Sequence, residues 1–284
     1  YANTTITGGS ITGGNTGIEI RAGELTLNDC ALEATAEEFS CVPNGNGATT
    51  VGAAIAIEQH TTKQNIAVTI NGGSFKGVKA LNESNPQAND PAPQVKLSID
   101  GGTFIGDIST VDVTGFIKSG AFTDLASAVK YATNGATITL AGDAKGDVVI
   151  PEGKTITLDL GGHKLTNVKD HTIVNNGTLT ITGTGTVDNV THARAALVNY
   201  GTAILNGGNF TRSKENPENN KNNGGGNSYY TILNDKGATM TINEGVTVSN
   251  VGHFSSMIRN GGDGNTAAVS TMTINGGTFS GGIN

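Results

Sequence analysis

Apolar and polar residues alternate in short bursts along this chain, and nearly every burst ends at a glycine-containing turn. In Thr178-Leu179-Thr180-Ile181-Thr182 the period is two, which predicts a strand with Leu179 and Ile181 inward and threonine outward. Threonine suits the outer face because it is both β-branched and polar. Gly153, Gly177 and Gly201 follow one another at intervals of 24 residues, and each opens a run of the same grammar: glycine, short strand, turn, second short strand. Ile173-Val174-Asn175 and Leu197-Val198-Asn199 are also 24 apart. A fixed period in the twenties predicts one supersecondary unit per repeat, and such a unit buries its apolar face only by stacking on its neighbours. In the second copy the strands are expected at Ile173–Asn175, Thr178–Thr182 and Thr186–Asp188. Each is too short for a hairpin and suits parallel pairing with its equivalent one coil later, about 4.8 Å along the axis. Leu179, Ile204 and Met240 are expected to share one internal column.

Asn175, Asn199, Asn234 and Asn260 recur at matching places, each after an apolar pair or near-pair and before a glycine-led turn. Asparagine tolerates left-handed backbone, and stacked copies can hydrogen-bond into a ladder. The competing reading is four ordinary turn residues.

Earlier rungs are expected at Thr4–Ile11, Ile18–Ile20, Gly23–Asn28, Ala53–Ile57, Ile66–Phe75 and Val95–Phe104, with Phe116-Ile117 closing the first half. Residues 35–52 and 82–94 read as polar loops, and 213–228 as a low-complexity insertion. The segments 76–94, 105–115 and 211–228 all follow a strand after a Gly-Gly turn, so they are expected to leave one edge of the coil, which suits a binding face or a length-tolerant turn. Between the halves, Leu125, Ala128, Val129 and Ala132 fall at i, i+3, i+4 and i+7, predicting a short amphipathic helix. Thr123 or Asp124 would cap its start and Gly135 its end.

The pattern Gly-x-x-Thr-Ile-x-Gly-Gly-x-Phe, seen in Ala238–Asn243 and Met272–Phe279, resembles the right-handed parallel β-helix proteins of the pectate-lyase-like superfamily. More narrowly, the Gly/Thr/Asn-rich chain is similar to β-helix regions of surface proteins and adhesins from Gram-positive gut bacteria. The resemblance covers nearly the whole chain. It implies an all-β, right-handed parallel β-helix solenoid with a short capping α-helix near residues 124–133. Residues 1–118 are then the C-terminal part of a first module, and 119–284 a second module opened by that helix. The alternative is one continuous solenoid with the helix on its side. The resemblance also implies a secreted or surface-attached bacterial protein that does no chemistry and serves adhesion or a stalk. Self-assembly of modules end to end into a fibre, and binding or lyase-like cleavage of polysaccharide, are the other readings.

Composition narrows the choice. Glycine supplies 42 of 284 residues without a collagen period, so it marks turns. A net charge of −7 with 17 basic residues argues against nucleic acid as a partner. No apolar run is long enough to cross a membrane, so no membrane insertion is expected. No signal peptide is recognisable, and Tyr1 and Asn284 both fall within the strand pattern, as expected of a piece of a longer protein. A polysaccharide lyase of the resembled superfamily would cluster carboxylates around calcium beside a basic residue, but Asp159, Asp188 and Asp235 are isolated in their rungs, and Glu33, Glu37 and Glu38, clustered in a loop, lack an obvious basic partner at the neighbouring rung. No cofactor is expected, with calcium the one alternative. The histidines are dispersed, although His171 and His192 fall close enough in the repeat to meet on adjacent coils. Cys30 and Cys41 would staple a polar loop as a disulfide, or serve as two free thiols filling a rung. For a glycan or a host or bacterial surface protein as partner, Tyr200, Tyr229, Tyr230 and Phe254 are the candidate contact residues; their other role is to cover apolar surface where a loop leaves the coil.

Overall fold

The structure, a computed structural model, describes residues 2–111, 120–214, 229–250, 256–262 and 268–281. Phe116, Ile117, Phe254 and most of the 213–228 insertion lie outside the described residues. The chain divides into two compact units, Tyr1–Thr123 with Lys130–Thr133, and Asp124–Val129 with Asn134–Asn284. Both are built from parallel strands stacked coil upon coil, the architecture of a parallel β-helix.

The first unit contains β1 (Asn3–Thr7), β2 (Ser10–Gly13), β3 (Thr16–Ile20), β4 (Gly23–Asn28), β5 (Cys30–Ala34), β6 (Ser40–Asn44), β7 (Gly47–Val51), β8 (Ala53–Glu58), β9 (Ile66–Ser84), β10 (Val95–Asp107) and β11 (Ala121–Phe122). β1, β4, β9 and β10 stack in register, with Leu25, Val68 and Leu97 in one internal row and Leu27, Ile70 and Ile99 in the next. Leu32, Phe75, Phe104 and Phe122 follow as the adjacent row. Its rings are offset-stacked, 5.3 Å between Phe75 and Phe104 and 5.5 Å between Phe104 and Phe122. Tyr131 continues the stack at 6.0 Å and donates its hydroxyl to the Ile108 and Val111 carbonyls.

Two expectations change here. Residues 35–52 are not an irregular loop: β6 and β7 pair antiparallel, with Asn44 opposite Gly47 across a two-residue Gly45-Asn46 turn. Residues 76–84 are not loop either, because β9 continues past the Gly72-Gly73 turn and pairs with β8 from Lys79 to Ser84.

The helix α1 (Leu125–Tyr131) is capped by Asp124, whose Oδ1 accepts from the Ser127 amide at 2.7 Å. Leu125, Ala128 and Val129 are buried, and Gly135 takes a positive φ after the helix.

The second unit repeats three strands per coil: β12 (Ala136–Thr139), β13 (Ala144–Lys145) and β14 (Val148–Ile150), then β15 (Thr155–Asp159), β16 (Lys164–Thr166) and β17 (Ile173–Asn175). The third and fourth coils are β18 (Thr178–Thr182), β19 (Thr186–Asp188) and β20 (Leu197–Asn199), and β21 (Thr202–Leu205), β22 (Asn209–Thr211) and β23 (Ile232–Asn234). β24 (Thr239–Ile242), β25 (Thr247–Asn250) and β26 (Ile258–Asn260) precede β27 (Thr271–Ile274) and β28 (Thr278–Gly281). Like strands stack into three parallel sheets, one beginning at each of β12, β13 and β14. Ile156, Leu179, Ala203 and Met240 form one buried column, and Leu158, Ile181, Leu205 and Ile242 the next. Leu179 and Met240 therefore share a column as expected, but Ile204 does not. It pairs with Thr180 and Thr241 on the outer face, one residue out of the expected phase.

Glycine is required where successive turns touch. A Cβ on Gly201 would lie 2.1 Å from the Gly177 carbonyl oxygen, and one on Gly177 2.3 Å from that of Lys154.

Candidate functional site

The third sheet of the second unit, β14-β17-β20-β23-β26, fixes most of the candidate residues. Its strands are three residues long, so the first and third side chains point inward and the middle one outward. The third position is Asn175, Asn199, Asn234 and Asn260, paired in register. Each Nδ2 donates to the next Oδ1 at 2.7 Å, from Asn175 to Asn199, Asn199 to Asn234 and Asn234 to Asn260. The same amides donate to the backbone carbonyls of Thr202, Thr239 and Thr271 one coil on. The Oδ1 atoms of Asn175 and Asn199 also accept from the Gly177 and Gly201 amides. Asn175, Asn199 and Asn234 are fully buried, and this pairing is what buried amides need. The ladder ties the turn after the third sheet to the coil above it.

The middle position carries Val149, Val174, Val198, Leu233 and Arg259 in successive coils. Val198 and Leu233 face away from the interior yet are almost completely buried. Their cover is aromatic: Tyr200, Tyr229 and Tyr230, with Val174, pack against Ala195, Val198 and Leu233. Three of the four sequence-nominated aromatics thus meet on one outer face; Phe254 lies outside the described residues. They cover the outside of a sheet, not the interior of the coil.

Around the tyrosines stands a set of polar groups of which the sequence singled out only His171, and that one for a possible meeting with His192. The His171 ring lies 5.0 Å from Tyr229, and the rings of Tyr229 and Tyr230 are 5.8 Å apart. Lys236 Nζ sits 4.1 Å above Tyr200 and the Arg259 guanidinium 5.3 Å from Tyr230. Arg194 Nε pairs with Asp170 Oδ1 at 2.9 Å, beside His171. Below them Arg212 is wholly buried and donates to the carbonyls of Arg194 and Tyr229, fixing the backbone from which Tyr229 projects. Lys164, Asp188 and Ser213 form a second anchor: Asp188 accepts from the Ser213 amide at 2.9 Å and hydroxyl at 2.7 Å, and from Lys164 Nζ at 2.7 Å.

The turn carrying His171 is held from the preceding coil. Asp147 accepts from the amides of Val168, Lys169 and Asp170. Burial works to raise the Asp147 pKa, and these donors outweigh it, leaving the carboxyl below its ordinary value. His171 Nδ1 accepts from the Ala195 amide at 2.8 Å. Burial drives its pKa below the ordinary histidine value, so the ring is neutral at neutral pH. Burial likewise raises the Tyr229 phenol, with Tyr200 adding to the effect.

A signal for this patch was present in the sequence. The triplets Ile173-Val174-Asn175, Leu197-Val198-Asn199 and Ile232-Leu233-Asn234 are apolar at the outward middle position, where the first sheet places mostly threonine. An outward apolar column calls for a cover, and the nearest large side chains are the tyrosines.

The remaining candidates lie in the first unit. Cys30 and Cys41 are free thiols. Cys30 lies buried in β5, where burial pushes its thiol pKa up, while Cys41 is on β6 with its sulfur 3.6 Å from Thr50 Oγ1 and 3.7 Å from Ser84 Oγ. An open groove of about 320 Å³ runs past Glu33, Lys76, Val78 and Ile105. The expectation that Glu33 lacks a basic partner at the neighbouring rung does not hold: it lies on β5, and Lys76 of β9, its ladder partner one coil on, pairs with it at 2.6 Å. Among the described residues no group of three or more His, Cys, Asp or Glu side chains is placed to hold a metal ion, and no helix is long and apolar enough to cross a membrane. Comparison of the chain with protein-family models, with characterised proteins and with solved structures finds no match.

Proposed function

We propose that this chain is a non-catalytic binding β-helix of a secreted or surface-attached bacterial protein, and that it holds a carbohydrate against the tyrosine face of its second unit. The observation that carries the reading is the convergence of Tyr200, Tyr229 and Tyr230 on one outer sheet face, rimmed by Arg194, Lys236, Arg259 and Asp170. A pyranose has an apolar C–H face and a rim of hydroxyls. Half-buried aromatic rings meet the first, and fixed cationic donors with a carboxylate acceptor meet the second. Tyr200 directly follows β20, Arg259 lies in β26, and the buried Arg212 holds the backbone at Arg194 and Tyr229, which lowers the ordering cost of binding. The Gly/Thr/Asn-rich solenoid, with its long polar insertion ending beside Tyr229, supports an adhesive setting.

A glycan array read with the wild-type chain and with Tyr230→Ala and Tyr200→Ala tests this. Binding should weaken at least tenfold in each variant for whichever glycan the wild type retains, about 1.4 kcal/mol per contact. Variants that bind as the wild type does would move the site elsewhere, and a wild type that binds no glycan but captures a surface protein would change the ligand class.

A further inference from the structure

Strand β8 is buried along its whole length, Ala53, Ala54, Ile55, Ala56, Ile57 and Glu58 alike. A coil strand has one face inward, so burial of both requires an outside cover. That cover is the β6–β7 hairpin: Ala48 and Thr50 are buried while Thr49 between them is exposed. The hairpin is fastened by Thr16 Oγ1 to the Thr50 carbonyl at 2.6 Å, by Arg21 to the Ala48 carbonyl at 2.8 Å, and by Gln87 to the carbonyls of Asn44 and Gly47. Alanines at 54 and 56 allow the close approach. The next outward residue is Glu58.

Glu58 is fully buried, and neither of its carboxyl oxygens has a hydrogen-bond donor at bonding geometry. Its charged neighbours both come from the β3 end: the Glu19 carboxylate and the Arg21 guanidinium, which is already engaged with Glu19. The hairpin adds the Ala48 backbone and, as its titratable group, the Cys41 thiol, which lies against Ser84. From β9, Ser84 is the ladder partner of Glu58, with the partly exposed Glu83 beside it. A fully buried carboxyl with no donor thus sits beside the partly exposed Glu19–Arg21 pair, an arrangement that favours a proton on Glu58.

We propose that Glu58 and Glu19 form a proton-operated latch on the β6–β7 hairpin. With a proton on Glu58 the hairpin lies closed. When that proton leaves, Glu58 becomes a buried carboxylate beside that of Glu19; the hairpin lifts and uncovers the outer face of β8 and the rest of the half-exposed Cys41. Burial, and next the Glu19 charge, push the Glu58 pKa up to about 7, so the latch works near neutrality.

Hydrogen–deuterium exchange resolved by segment tests the latch. Taking the Glu58 pKa as about 7 when closed and 4.5 when open, the opening constant rises roughly 70-fold from pH 5 to pH 8. After correction for intrinsic exchange, protection across residues 40–51 should fall by that order while residues 66–70 stay unchanged. Glu58→Gln, which keeps a donor at every pH, should leave the hairpin closed and flat across the range. A flat wild-type profile, or a step that survives in Glu58→Gln, overturns the latch. If Glu58→Gln loses protection at 66–70 as well, Glu19→Gln decides: removing the like charge must shrink the step, and a step of unchanged size overturns the proposal.

Discussion

The second unit contains two asparagine ladders of the same chemistry in different surroundings, and they should differ sharply in worth. The buried one runs through Asn175, Asn199, Asn234 and Asn260; the other links Asn243 Nδ2 to Asn206 Oδ1 at 2.7 Å and Asn275 Nδ2 to Asn243 Oδ1 at 2.8 Å, open to solvent after the first sheet. In Asn199→Ala, Asn175 Nδ2 loses an acceptor, Asn234 Oδ1 a donor, the Thr239 carbonyl a donor and the Gly201 amide an acceptor. A buried group left without its partner costs about 1–3 kcal/mol, and since several of these keep a second partner the total should be about 3–5 kcal/mol. In Asn243→Ala water replaces the lost partners, and the cost should stay below about 1 kcal/mol. Urea unfolding of the two variants beside the wild type measures both, and since Asn199 ends the third coil and Asn243 follows the first strand of the fifth, both lie within the middle of one array and any loss of its cooperativity affects them alike. If the two substitutions cost the same within about 1 kcal/mol, burial is not what gives the inner ladder its strength, and the reasoning fails.

Further outcomes follow from the same geometry. Ile204→Thr, on the outer face between Thr180 and Thr241, should change stability by less than about 0.5 kcal/mol, whereas Leu205→Ala, beside it in the core, should cost about 2–5 kcal/mol; chemical denaturation of both checks the register. Gly201→Ala should destabilise by more than a surface substitution does, since its Cβ would meet the Gly177 carbonyl oxygen at 2.1 Å and no flexible side chain can yield; thermal unfolding reads this. The neutral form of His171 is favoured by burial, so the unfolded chain takes up its proton first, and the tyrosine patch should lose stability as the pH falls below about 6.5. The chain lacks tryptophan, so tyrosine fluorescence follows that change, and His171→Gln should flatten it. The β6–β7 hairpin should run the other way and tighten in acid, because Glu58 binds its proton more strongly folded than unfolded.

The parallel coil was legible because the 24-residue spacing and the Thr-Leu-Thr-Ile-Thr alternation act together: one gives the stacking, the other the inward face. β17, β18 and β19 fall on the residues expected of them. The phase failed at Ile204, where Ala203 takes the inward place and an apolar side chain faces out. Composition alone favours the larger residue inside; the ladder Thr178↔Thr202 and Ile181↔Leu205 decides otherwise. The hairpin at 40–51 was missed for a different reason. Its Asn44-Gly45-Asn46-Gly47 run is a turn signal, but its strands carry few large apolar residues, because they pack on alanines. At the patch, the tyrosines were visible as aromatics beside an insertion. The meeting of His171, Arg194, Lys236 and Arg259 there was not, because they come from four separate turns and strands and meet only once the coils are stacked.

The location of the patch follows from how the three sheets of the second unit differ outside. The first sheet presents mostly threonines, which water satisfies, with Ile204 a single apolar exception among them, and needs no cover. The third presents Val174, Val198 and Leu233, which water does not. Placing the asparagine ladder inside the third sheet gives up apolar burial at one inward position in each coil after the first, where Ile150 holds that place. The outward apolar column restores some of it, provided something lies over it. The tyrosines supply that cover while keeping one edge of each ring in solvent, and the cations that settle on their faces bring hydrogen-bond donors to the same rim. Covering this column thus assembles the rings and donors that a sugar would meet. Removing the demand, as in Val198→Thr with Leu233→Thr, should loosen the tyrosines and weaken glycan binding although neither residue reaches the surface.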